Sequence, residues 1–167
     1  CYFACEVLDE KLYAIGGLVS NSSNHSWDTF DPLTNCWTFH IDPIIASDIE
    51  DSVVLDGKIY VRCARHPDVT PHVFAVVYEP SSGTWQYADV DMVSGWKGPA
   101  IVVDGTLYVL DQSLGRTRLM MWHKEGREWI PIGKLSPLLT KPPCQLVAVG
   151  KSIFIVGKTL STVVVDG

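Results

Sequence analysis

Short apolar runs broken by polar turns recur along this chain, and they recur in phase. VLDGKIYV at 54–61 returns as VVDGTLYV at 102–109. Tyr13, Tyr60, Tyr108 and Phe154 hold the same place in successive copies, at steps of 47, 48 and 46 residues. A second landmark follows each of the first three. Phe30, Tyr78 and Trp122 stand seven positions before Trp37, Trp85 and Trp129. Two markers recurring together at this period identify a repeated supersecondary unit.

Each unit reads as four short strands. The first is an apolar run, as in Val53-Val54-Leu55, Ile101-Val102-Val103 and Leu146-Val147-Ala148. A two-residue turn follows, Asp56-Gly57, Asp104-Gly105 or Gly150-Lys151. Asp-Gly supplies the positive φ of a tight hairpin. LYAI, IYVR, LYVL and IFIV give the second strand, and their β-branched and aromatic residues suit a pleated surface. After a variable loop, a third run ends at the aromatic landmark. A polar turn such as Asp31–Asn35 or Glu79–Gly83 then leads to a fourth strand opening at the tryptophan. No segment keeps a helical period over three turns. Four-stranded units of this length describe propeller blades. The expected fold is all-β, with four-stranded antiparallel blades, about three and a half of them. They should form an open arc rather than a closed ring. The repeats run over 1–44, 45–93, 94–139 and, incomplete, 140–167. Trp37, Trp85 and Trp129 are expected to be buried at equivalent places between neighbouring blades.

Gly16-Gly17 after LYAI, the Tyr78-Glu79-Pro80 corner and Trp85 resemble the kelch repeat. The resemblance covers almost the whole chain and drifts within it. Cys63-Ala64, Asp111-Gln112 and Gly157-Lys158 replace the glycine pair, and the third corner is Trp122-His123-Lys124. With KPPC at 141–144 and GKSIFIVGK at 150–158, the texture is similar to plant F-box/kelch-repeat proteins. That resemblance implies a kelch-type β-propeller that binds proteins. It would be the non-catalytic substrate-recognition part of an F-box-containing cullin–RING ubiquitin ligase, acting in ubiquitin-dependent protein degradation. It also implies a longer protein, with further blades and an F-box outside this chain that would bind the ligase adaptor. A non-ligase kelch scaffold is the alternative, and a metal-dependent kelch enzyme a more distant one.

Composition narrows the classes further. The chain has 167 residues, of which 47% are hydrophobic, enough to bury a core. The net charge is −6 and no Lys/Arg stripe appears, which argues against nucleic acid. No apolar run is long enough to cross a bilayer as a helix. Cys1, Cys5, Cys36, Cys63 and Cys144 fall at different repeat positions, whereas a disulfide ladder would keep them in register. They read as free thiols, small buried hydrophobes of a reducing cytoplasmic or nuclear compartment. No P-loop, nucleophile elbow or dinucleotide fingerprint is present. No catalytic residue, cofactor or metal site is assigned. Asp56 and Asp104 are explained by turn chemistry.

Two charges interrupt apolar columns. Glu6 aligns with Val53, Ile101 and Leu146, and Arg62 with Ile15, Leu110 and Val156. They are expected to meet or to share one polar network. The partner surface is expected on the long loops, because binding residues favour variable loops on a rigid scaffold. GGLVSNSSNHSW, CARHPDVTPH and DQSLGRTR differ from one another, as do the links between repeats. That face offers His25, Trp27, Arg65, His66, Trp96, Lys97, Arg116, Arg118 and Lys141, with Asp48, Glu50 and Asp51 as an acidic patch. Trp96 with Lys97, beside Arg65 or Arg116, is the expected centre of the contact with a protein substrate.

Overall fold

A computed structural model describes residues 3–16, 27–42, 44–45, 48–65, 72–133, 135–136, 140–158 and 160–166. Four antiparallel sheets follow one another along the chain, and within each the strands pair in sequence order. The first holds β1 (Phe3–Leu8), β2 (Lys11–Gly16), β3 (Trp27–Asp31) and β4 (Cys36–His40). The second holds β5 (Asp48–Leu55), β6 (Lys58–Arg65), β7 (His72–Glu79) and β8 (Thr84–Tyr87). A one-and-a-half-turn helix, α1 (Val90–Gly95), precedes β9 (Ala100–Val103), β10 (Thr106–Asp111), β11 (Arg118–His123) and β12 (Glu128–Pro131). The last sheet has three strands, β13 (Gln145–Val149), β14 (Ser152–Val156) and β15 (Thr162–Asp166). These are the blades of an all-β propeller fold. They fall into two compact units, Cys1–Asp89 and Val90–Gly167, with two blades in each.

The turns explain why the repeat is legible. Asp56-Gly57 has φ of 51° and 69°, and Asp104-Gly105 has 51° and 73°. Both residues of each hairpin turn are therefore left-handed, as a turn matching the strand twist requires. Blade 1 builds the same turn from Asp9 and Glu10, at φ 49° and 61°, without a glycine. The corners before the fourth strands share a geometry too. Asn35, Gly83 and Arg127, at φ 53°, 67° and 51°, each close one. In each corner the residue after the aromatic landmark accepts a bond from the turn. Asp31 Oδ1 takes the Leu33 N–H at 2.9 Å, and Glu79 Oε1 takes the Ser81 hydroxyl at 3.0 Å. His123 Nδ1 takes the Gly126 N–H at 3.1 Å. His123 thus fills the acceptor's place in the corner that departs most from the repeat.

The seven-residue spacing becomes a cross-strand pair. Phe30 faces Trp37, Tyr78 faces Trp85 and Trp122 faces Trp129 in the strand register. Their ring centroids lie 5.1, 5.2 and 5.3 Å apart. What covers the pairs differs. In unit 1, Tyr78 and Trp85 reach across to blade 1, with centroids 5.4 Å from Tyr13 and 5.7 Å from Trp27 respectively. Leu8, Ile15, Ile49, Val61, Cys63 and Val76 complete that core. Trp85 is buried as expected. Trp37 is not, with 47% of its surface exposed, because blade 2 covers the Tyr13–Trp27 side of blade 1 instead. Trp129 is half-buried under α1 rather than under a sheet. Its Nε1 donates to the Asp91 and Met92 carbonyls at 3.2 and 3.1 Å, and its indole lies so close to Gly95 that a Cβ there would enter the ring. The core of unit 2 joins Val103, Leu110 and Leu119 to Cys144, Ile153 and Ile155.

Truncating the paired tryptophans should separate these settings. Trp85→Ala should cost about 3–5 kcal/mol, the range of large buried aromatics. Trp37→Ala should cost about 1 kcal/mol or less, since its side chain is already wet. Urea unfolding of the two variants tests this, and equal losses would show that the inter-blade packing of Trp85 is not what holds it. Glu10→Gly should stabilise blade 1 by about 0.5–1 kcal/mol by relieving a left-handed glutamate. A lower midpoint for Glu10→Gly would mean that the turn tolerates Glu10 without strain.

Candidate functional site

The hairpin and corner turns occupy one end of each blade. The other end carries the loops between second and third strands and the links between blades. In unit 1, residues 17–26 and 66–71 lie outside the described set, so His25 and His66 are not placed. Arg65 is the last residue of β6. Trp27 is the first residue of β3 and faces Ile15 across the ladder. It is not a surface residue. It is buried, stacked on His40 at 3.9 Å and packed 5.2 Å from Tyr78. The signal was its position three residues before Phe30, where the other blades place buried Ala75 and Leu119. Burial pushes the His40 imidazole below its ordinary value, against the opposing pull of Asp28. Burial, then the neighbouring Tyr78, pushes the Tyr13 phenol up to about 12.

In unit 2 residues 134, 137–139 and 159 of the loop end lie outside the described set. Trp96 is the clearest correction, since only 1% of its surface is exposed. After α1 its ring turns inward, while Lys97 beside it stays exposed. The expected Trp96–Lys97 contact therefore splits into a core residue and a surface cation. Arg116, Arg118 and Lys141 are exposed as well. Hydrogen bonds join the three segments that carry these cations. Leu110 N–H donates to the Pro99 carbonyl at 2.8 Å, and Gly98 lies so close to the Leu110 carbonyl that a Cβ would clash with it. The Gln112 amide grips the Cys144 backbone, donating from Nε2 to the carbonyl at 2.9 Å and accepting from the N–H at 3.4 Å. The Thr117 hydroxyl donates to the Thr140 carbonyl at 2.6 Å.

One carboxylate anchors this end. Asp111 is buried, receives the Ser113 N–H at 2.9 Å and pairs with Arg118 at 2.8 Å. Burial pushes its carboxyl up, but the bonds from Ser113 and from Arg118 together outweigh that and hold it below the ordinary carboxylate range. The Cys144 thiol beneath is pushed up by burial.

The two odd charges do not pair with each other. Glu6 accepts the Ser52 hydroxyl at 2.5 Å, a bond from blade 1 to blade 2. Arg62 pairs with Glu50 at 2.7 Å. A bulge between Ile49 and Asp51 inserts Glu50 as the extra residue of β5, so part of the acidic patch is neutralised within its own blade. In the last blade, Val147 rather than Leu146 stands opposite Phe154 and so aligns with Glu6. Cys63 and Cys144 are buried free thiols, but Cys5 and Cys36 are exposed, so burial does not account for all the cysteines.

Residues 1–39 match the kelch motif family. The chain is 52% identical over 167 residues to the F-box/kelch-repeat protein SKIP4 of Arabidopsis thaliana, covering 99% of this chain and 45% of that protein. The first blade carries the kelch motif. A second F-box/kelch-repeat protein of Arabidopsis thaliana is 30% identical over 131 residues, 75% of this chain and 32% of the relative. The chain therefore spans less than half the length of either relative. Among solved structures, hydrazine synthase of Kuenenia stuttgartiensis is similar with a TM-score of 0.54 over 95% of this chain and 56% of that one. At 15% identity, this is a likeness of fold.

Unit 2 should lose stability in acid through Asp111. A carboxyl held low in the folded state adds stability above its unfolded value of about 3.9, and that stability is lost as pH falls through the lowered native value. Asp111→Asn should therefore lower the melting temperature at pH 7 and flatten its decline below about pH 4. Parallel melting curves from pH 7 to pH 3 for the two proteins would show that Asp111 carries no such linkage.

Proposed function

We propose that this chain is the substrate-recognition part of an F-box-containing cullin–RING ubiquitin ligase. It is non-catalytic itself and captures a protein substrate on the loop end of its blades, in the cytoplasm or nucleus. The observation that carries this reading is the 52% identity, across 99% of the chain, to an F-box/kelch-repeat protein. The F-box of this reading lies outside the chain and binds the ligase adaptor. The turn end supports the choice of face. Its turns are set by backbone geometry and are alike, whereas the loop end presents different side chains on each blade.

The test uses the full-length protein that contains this chain, tagged and expressed in plant cells with the proteasome inhibited. It should co-purify the cullin core together with proteins that accumulate under inhibition. Arg116→Ala combined with Lys141→Ala should reduce capture of those proteins by about tenfold, as loss of interface hot spots does. The melting temperature and the cullin association should stay unchanged. Changes at Lys58 and Ser82, on the turn end, should leave capture intact. Capture without the cullin core would favour a non-ligase kelch scaffold, and sensitivity confined to Lys58 and Ser82 would place the surface at the other end.

A further inference from the structure

We propose that the loop end of unit 2 binds an acidic peptide segment of its partner protein, an inference that rests on the loop end being the capture surface. The described residues of four segments, 96–99, 112–118, 132–144 and 157–161, lie at that end, and none of the four segments contains Asp or Glu. They expose Lys97, Arg116, Arg118, Lys141 and Lys158. The one carboxylate at the adjoining strand end, Asp111, is buried and already engaged by Arg118. Among the described residues, Lys97, Arg116, Lys141 and Lys158 have no carboxylate partner. The turn end of the same unit is different. There Lys151 pairs with Asp104 at 3.8 Å and His123 lies 3.5 Å from Glu125, while on the flank Arg127 pairs with Asp91 at 3.2 Å. The positive end is therefore a local feature of a chain whose net charge is −6.

Hydrogen bonds and strand pairing join the segments that carry these cations. Lys97 is two residues from the Pro99 carbonyl held by Leu110, and Arg116 and Lys141 flank the Thr117–Thr140 bond. Lys158 follows β14, whose last residue pairs with Gln145 next to Cys144. Cations dispersed over separate segments fit a ligand with several spaced negative charges better than one small anion. Arg116 adds a planar donor fork suited to carboxylates. Single-stranded nucleic acid would call for exposed aromatic platforms on which bases stack. The one aromatic residue in these segments, Trp96, is buried.

The test is fluorescence anisotropy of the full chain with a short labelled peptide of alternating Glu and Gly. The controls are the Gln counterpart and a single-stranded oligonucleotide of equal charge. The Glu peptide should bind, and the Gln peptide should bind at least about tenfold more weakly, since charge complementarity supplies the attraction. Arg116→Gln with Lys141→Gln should weaken the Glu peptide about tenfold, and Lys124→Gln with Lys151→Gln, on the turn end, by less than about twofold. Equal binding of the two peptides, equal loss from the two double variants, or tighter binding of the oligonucleotide would each overturn the proposal. If full-length protein captures substrate through the cullin core while the Glu peptide fails to bind, this inference falls and the ligase reading stands. If the Glu peptide binds as stated and no cullin core co-purifies, the inference stands and the ligase reading falls.

Discussion

A twisted sheet that is apolar on both faces cannot stand alone in water. Each of these blades has that character, so each must be covered, and blade-on-blade packing is the constraint from which the rest follows. In unit 1 the cover is aromatic. Tyr13 and Trp27 of blade 1 receive Tyr78 and Trp85 of blade 2, in tilted and edge-on arrangements that ring quadrupoles favour. The Glu6–Ser52 bond ties the first strands of the same two blades. Unit 2 meets the requirement partly with α1, whose Gly95 leaves room for the Trp129 ring.

Packing of this kind fixes register, and register divides the blade into unequal ends. At one end the chain must reverse within two to four residues, so left-handed conformations are compulsory. Asp-Gly pairs meet that demand at little strain, Asp9-Glu10 meets it under strain, and a histidine replaces a carboxylate where only an acceptor is needed. At the other end the reversals are long and nothing in the ladder dictates their chemistry. Side-chain individuality collects there for that reason.

The parts of this division that depend on local rules were legible in the sequence. Hairpin turns, strand order and the facing aromatic pairs follow from short-range spacing. Trp27 could have been placed too, by counting back from Phe30. Other features depend on what lies across a face, which one chain's periodicity does not encode. Trp37 and Trp85 share one repeat position, yet one is wet and the other buried. Trp96 and Lys97 are neighbours in sequence and part company because a link must turn one side chain into the core. The partner of Arg62 was hidden by a bulge, which shifts the count of β5 by one and brings Glu50 to it. The sequence did identify Lys97, Arg116, Arg118 and Lys141 as surface cations. Composition alone did not reveal that the segments around them lack acids, because the whole chain is acidic.

The grip of Gln112 on Cys144 has a consequence for affinity. A primary amide offers one donor and one acceptor, as a peptide group does, and here it extends hydrogen bonding to a segment 32 residues away. The Thr117–Thr140 bond does the same one step further on. Loops joined in this way lose their conformational freedom when the domain folds. Little of that entropy is left to lose when a partner arrives. A surface prepared in this way can hold a partner with few contacts.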